Sequence, residues 1–365
     1  MKKFSEKITV AFLIISFVLC ITKTTLISRA VYEAVCRCLE TVIPSLYAVM
    51  TVSLIIIRSG VTSYIPRFAK KISELILGME GYVLPIFTFS MFAGYPVGVR
   101  MLTAEYDNGR LSKKRAEILC GLCYGAGPSF IFGCISGKLY GSTDAGLLII
   151  TSTVSANILL ALIMSFSLRK SIQMDNRKGK FGISADMLTE CVIKGGRSIA
   201  EVCFMITAFA VISEVLEAFG AVDAIGRIAA ELMHIPKETA SGLICALLDI
   251  TNVDRLSTGD YTILPYICGL ISFGGLCVIF QVMAAVSGRF SMIPMVCERI
   301  AASVFSGVIC RILLPFYMEH KLTAVSNIEV HAYGSYSPVP SIMLMIMTIL
   351  LFNEYRQVDT IAPQT

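Results

Sequence analysis

The sequence predicts an all-α polytopic membrane protein: two inverted-topology repeats with broken helices, about eight spanning helices and two re-entrant segments. Three observations carry this. Of 365 residues, 55% are hydrophobic and 16% charged, whereas soluble domains carry roughly a quarter charged residues. Uncharged runs approaching the ~20 residues needed to span a bilayer recur along the chain. The basic residues, with a net charge of +5, gather in short clusters between those runs. That is the pattern of topology signals rather than of nucleic-acid binding.

Taken in order, "MKKFSEK" and the uncharged residues 8–22 read as a retained N-terminal helix. The basic start and short apolar core suit a signal peptide, but "SRA" at 28–30 is a weak cleavage site, and Lys7 and Lys23 can snorkel to lengthen a helix. Further apolar runs occupy 41–57, 81–99, 118–137, 145–168, 202–213, 239–248, 261–288, 290–318 (interrupted by Glu298, Arg299 and Arg311) and 342–352. Placing the basic clusters at 2–7, 67–71, 110–115 and 169–180 in the cytoplasm fixes a path. Residues 8–22 cross outward and 41–57 return. The run 81–99 has basic clusters on both flanks, so it dips in and out on the cytoplasmic side. Residues 118–137 cross outward and 145–168 return. In the second half 198–220 cross outward, the short run 239–248 dips from outside, 262–285 cross inward and 293–317 outward. Residues 342–352 bring the C-terminus back to the cytoplasm. The organisation is an N-terminal helix (1–26), repeat 1 (27–170), a cytoplasmic loop (171–196), inverted repeat 2 (197–320), and a C-terminal short helix and tail (321–365).

The two halves echo each other. "GPSFIFG" at 127–133 follows Tyr95 by 32 residues and "GGLCVIF" at 274–280 follows Ile250 by 24; the loop "EYDNGRLSKK" accounts for the difference. Irregular backbone at membrane depth is tolerated only where protein or a water-filled cavity satisfies it, and paired breaks in inverted repeats mark the site of alternating-access transporters. The breaks therefore nominate the site: Gly94, Tyr95, Pro96 and Gly98 at the first, Gly127, Pro128 and Ser129 at the second, Asp249, Thr251 and Asn252 at the third, with Gly274 and Gly275 at a fourth. Half-helix N-termini there attract anions, and free carbonyls suit cations or hydrogen-bonding solutes. Arg100 and Arg255 follow the first and third breaks and offer forked donors suited to a carboxylate. Arg311 sits within a long apolar run, where charge is expensive and usually functional. Plainer readings stand beside these. Arginines also cap re-entrant ends or snorkel, Asp249 can pair with Arg255, and Glu214 with Glu217 reads as a solvated helix end before a proton-coupling pair.

No enzyme signature appears: no Ser–His–Asp set, metal-spaced histidine motif, P-loop or dinucleotide fingerprint. The 13 cysteines fall mostly in apolar runs and read as packing residues. No cofactor or metal is expected; the expected partners are the lipid bilayer and a small-molecule solute, and not nucleic acid.

"AGYPVGVRMLTAEYDNGRLSKKRAEIL", followed by "GAGPSFIFGCISGKLYGSTDAGLLIITS", closely resembles the YlbJ-type sporulation integral membrane proteins, within the wider nucleoside-recognition (Gate domain) group. The resemblance covers roughly residues 30–318 and is densest over 90–155. It rests on "GYPVG" with Arg100 two positions on, the acidic-Gly-basic loop, and the Gly-Pro turn. It implies a multi-pass transporter of the cell membrane, whose best-understood role in the family is movement of dipicolinic acid across the outer forespore membrane. A second copy of the chain or other sporulation membrane proteins are candidate partners, and the placement of the basic clusters puts both termini in the cytoplasm. The turn "CYGAGPS" departs from the family's Asn-rich turn, whereas Asp249, Thr251 and Asn252 fit its acidic residue before Thr-Asn. The alternatives are transport of a neutral nucleoside-like solute, or a non-transporting scaffold in spore-envelope assembly. A water-accessible pathway between the breaks would favour transport, and tight packing there a scaffold.

Overall fold

In the computed structural model the described residues are 17, 21–61, 65–169, 182–256 and 259–324, with the backbone alone for 67, 254, 255 and 318–324. Helices account for the architecture, and no strand forms among these residues. Contacts divide the chain after Glu319; of the second unit, His320–Thr365, only the end of the last helix is described.

Helix α1 runs Thr24–Arg58 through a π turn at Cys38–Val42. Pro44 explains that turn: it has no N–H for the carbonyl of Glu40, so the ladder slips by one residue. Helix α2 is Arg67–Ile72 continued by a π turn, Ser73–Leu77. Then come α3 (Val83–Ala93), α4 (Tyr95–Asp107) and α5 (Lys113–Leu122). Helix α6 starts at Pro128–Phe130 and continues as a wide turn through Ile131–Tyr140. The long α7 spans Thr143–Arg169.

The second half opens with α8 (Ala185–Ala218), followed by α9 (Ala221–Met233) and α10 (Lys237–Leu248). A 3₁₀ turn, Ile250–Arg255, follows the break at Asp249. Helices α11 (Leu264–Phe273) and α12 (Gly275–Val286) flank Gly274, and α13 is Ile293–Ala324. The half-helices α4, α6 and α11 each carry proline in the first turn (Pro96, Pro128, Pro265), where a missing N–H costs nothing.

Among the described residues, five stretches are long and apolar enough to cross a membrane: Thr24–Arg58, Thr143–Arg169, Ala185–Ala218, Tyr261–Val286 and Ile293–Tyr317. Two boundaries differ from the sequence reading. The run at 41–57 is only the C-terminal half of α1. The expected loop 171–196 is helical from Ala185, because Ser184 Oγ accepts from Met187 N and Glu190 pairs with Arg58 and with Lys194 along that turn. The expected helices at 8–22 and 342–352 lie almost wholly outside the described residues.

Buried apolar residues form two cores. One gathers residues of α1, α3, α4 and α8 around Met50, Ile86 and Leu102. The other joins α6, α10, α11 and α12 around Ile135, Ala246 and Ile267. Between them, α4 packs along α12, and the 3₁₀ turn packs on α6.

Candidate functional site

Four interruptions converge on the region between these cores. At the first, Gly94 has φ +97 and ψ 153, a conformation L side chains rarely adopt, and it ends α3 so that α4 can start in a new direction. At the second, residues 123–127 run irregularly between α5 and α6. Gly98 lets this segment approach, since a Cβ there would lie 2.5 Å from the Cys123 carbonyl. At the third, Asp249 Oδ1 accepts from Thr251 N at 3.0 Å and starts the 3₁₀ turn. At the fourth, Gly274 (φ +88) ends α11.

The first three breaks share one cavity of about 700 Å³, counted with its open mouth. Its lining includes the polar residues Thr41, Ser45, Ser129, Thr251, Gln281 and Asp249. Phe92, Tyr95 and Phe130 supply rings, and Val202 and Ile206 of α8 close the apolar side. Among the described residues no Lys or Arg is part of this lining.

Of the residues nominated from sequence, Gly94, Tyr95, Pro96, Gly127, Ser129, Asp249 and Thr251 line the cavity. Gly98 and Pro128 belong to the break segments but not to the wall. Asn252 is buried behind it: its Nδ2 donates to Cys245 O at 3.3 Å and its Oδ1 accepts from Arg37 at 3.1 Å. Arg100 stands outside the lining and donates to Glu201 of α8 at 2.7 Å. Arg255 ends the 3₁₀ turn, with only its backbone described. Arg311 is exposed on α13.

Sequence reasoning missed what lies under the floor. The last four carbonyls of α11 have no partners within the helix, and each is satisfied from outside it. Gly274 N donates to Leu270 O at 2.7 Å, the Tyr95 hydroxyl to Ile271 O at 2.9 Å, Arg299 to Ser272 O at 3.4 Å and the Tyr124 hydroxyl to Phe273 O at 2.8 Å. The rings of Tyr95 and Tyr124 lie 4.9 Å apart, and the Arg299 guanidinium sits 4.9 Å over Tyr124. Asn157 of α7 accepts from Arg299 at 3.0 Å and donates to Tyr124 O at 2.7 Å. Two signals pointed this way: Arg299 interrupts an apolar run, and Tyr124 stands in the irregular turn "CYGAGPS". Thr41, Ser45 and Gln281 carried none, being single polar residues in apolar helices.

Among the described residues no group of three His, Cys, Asp or Glu is placed to hold a metal ion, and the described cysteines form no disulfide. No protein-family model matches the chain, nor does any curated protein or solved structure.

Proposed function

We propose that the chain is a membrane transporter that carries a small, ring-bearing solute through the cavity at the helix breaks, by alternating access of two inverted repeats. The observation that carries this reading is the cavity itself, on which breaks from both halves converge. A scaffold needs no such space.

The repeat reading has its own support. Each half follows one order: a long helix, a short helix, two interrupted helices and a long helix. The contacts are reciprocal. Helix α4 follows the first break of its half and packs on α12, which follows the second break of the other; the 3₁₀ turn and α6 repeat that pairing with the halves exchanged. A pseudo-twofold axis relates such pairs. The sealed floor at Tyr95, Tyr124 and Arg299 then serves as the closed gate of the state described.

The lining favours a neutral, hydrogen-bonding, nucleoside-like solute. It offers an acidic residue for solute hydroxyls, amide and hydroxyl partners, and rings for stacking, and no Lys or Arg is among its described lining residues. Dipicolinic acid, the solute implied by the YlbJ-type resemblance, remains the second reading; the half-helix N-termini at Tyr95 and at Ser129 favour it. On that reading the chain works in the outer forespore membrane. Uptake of labelled uridine and of dipicolinate by vesicles containing the purified protein separates the two. Uridine uptake that saturates is expected. Uptake of neither, with no thermal stabilisation by either, would remove transport of both solute classes.

A further inference from the structure

Two short helices share a three-sided plan, and on each the apolar side is exposed among the described residues. In α2, Phe68, Ile72, Leu75 and Ile76 form one stripe and are 69%, 47%, 72% and 45% exposed. The adjoining stripe, with Ser73 and Leu77, is buried. Lys70, Lys71 and Glu74 occupy the third side. In α9, Ile225, Ile228 and Leu232 are exposed, Val222 and Gly226 are buried, and Asp223, Arg227 and Glu231 form the third side.

Helix α2 is held firmly in this orientation. Ser73 Oγ donates to Met79 O at 2.9 Å, and Arg169, at the end of α7, donates to the carbonyls of Leu75 and Ile76. The buried Arg115 ties the following turn down through Gly78 O, Glu80 and Leu168 O. An amphipathic helix held beside membrane-spanning helices with its apolar side open lies in the plane of the lipid interface. The two helices differ in charge. Including Arg67, α2 has three basic residues against one acidic; α9 has one against two.

We propose that α2 is an in-plane helix that recruits anionic lipid headgroups through Lys70 and Lys71, and that α9 is its counterpart without headgroup preference. A basic residue at an anionic leaflet is worth about a five-fold local enrichment, so two lysines give a preference well above experimental scatter.

The chain contains no tryptophan, so Leu75→Trp and Leu232→Trp each create a single fluorescent reporter. The full-length protein is reconstituted in mixed phosphatidylglycerol and phosphatidylcholine vesicles, with bromine on the acyl chains of one lipid or the other. At Leu75→Trp, brominated phosphatidylglycerol is expected to quench as if enriched about five-fold or more over brominated phosphatidylcholine. Adding Lys70→Gln and Lys71→Gln should bring the two lipids to equality; glutamine keeps a stem to pack beside Gly81, which Lys70 now touches. At Leu232→Trp both lipids should quench alike. Absence of quenching at Leu75→Trp would mean that protein, including a second copy of the chain, covers the stripe, and equal quenching by both lipids would mean that the lysines select nothing. Either result overturns the proposal. The measurement reads lipid contact without any solute, so it stands or falls apart from the transport reading.

Discussion

Asp249 does two things at once, and a single substitution separates them. Its Oδ1 caps Thr251 N, and the residue is part of the cavity lining. Asparagine caps as well as aspartate does, so Asp249→Asn removes the charge and keeps the turn. A charge-assisted contact to a solute hydroxyl is worth about 1.5 to 3 kcal/mol, or roughly 10- to 150-fold in affinity. Uridine affinity measured by uptake should fall by that order, whereas a dicarboxylate should bind better once the repelling charge is gone. The two solute readings thus predict opposite signs at one residue. Arg100 gives the complementary test. It is engaged with Glu201 and absent from the lining, so Arg100→Ala should transport a neutral solute within about two-fold of the parent at equal membrane level. A loss of ten-fold or more would restore the anion-gate reading in which Arg100 and Arg255 grip a carboxylate. At Tyr124 the outcome is structural. Tyr124→Phe strips the Phe273 carbonyl of its donor, and interhelical hydrogen bonds in membranes average about 0.6 kcal/mol, reaching about 1.7. A small drop in melting temperature in detergent is expected.

The elements that sequence made legible are those whose ends carry their own chemistry. Gly94, the Gly127–Pro128 pair and Gly274 break helices because of what glycine and proline are, so three interruptions could be read locally. Helix α7 could be placed within two residues because its apolar run ends where polar turns begin. The N-terminal half of α1 was not legible. Arg29, Glu33, Arg37 and Glu40 interrupt its hydropathy, and it is helical because Ala30 and Ala34 bury against the rest of the fold, a fact of packing rather than of local pattern. The start of α8 was obscured in the same way by Lys194 and Arg197. The floor network was the least legible, since three carbonyls of one half-helix are met by side chains from three distant segments. Gly274 tests that network as an element. Alanine there faces the cost of positive φ, about 1 to 3 kcal/mol, and its Cβ would run into the Tyr124 hydroxyl. Gly274→Ala should therefore lower the melting temperature more than Tyr124→Phe does. In the double variant the losses should sum to less than the two singles, because removing the hydroxyl relieves part of the clash. Strict additivity would mean that the two residues do not meet.

At the scale of the molecule, transport by rocking of two repeats requires the halves to be inverted, and that is a statement about sides of a membrane. The turn after α4 and the segment before α11 occupy equivalent places in the two halves, each following the helix that leads out of the first break. On the proposed topology the basic cluster at 110–115 places the first in the cytoplasm, and inversion places the second outside. Asn108 is exposed, and a side chain at Gly259 meets nothing within 4 Å, so cysteine is tolerated at both. On a background without the native thiols, an impermeant maleimide applied to intact cells should label Gly259→Cys and leave Asn108→Cys untouched until the membrane is opened. Labelling of both from outside would make the halves parallel. The reciprocal pairing of α4 with α12 and of the 3₁₀ turn with α6 would then be a packing coincidence. A cavity between parallel halves has no symmetry-related second opening, so the alternating-access reading would fall with the topology, while the helical fold and the lipid-facing stripes of α2 and α9 would stand.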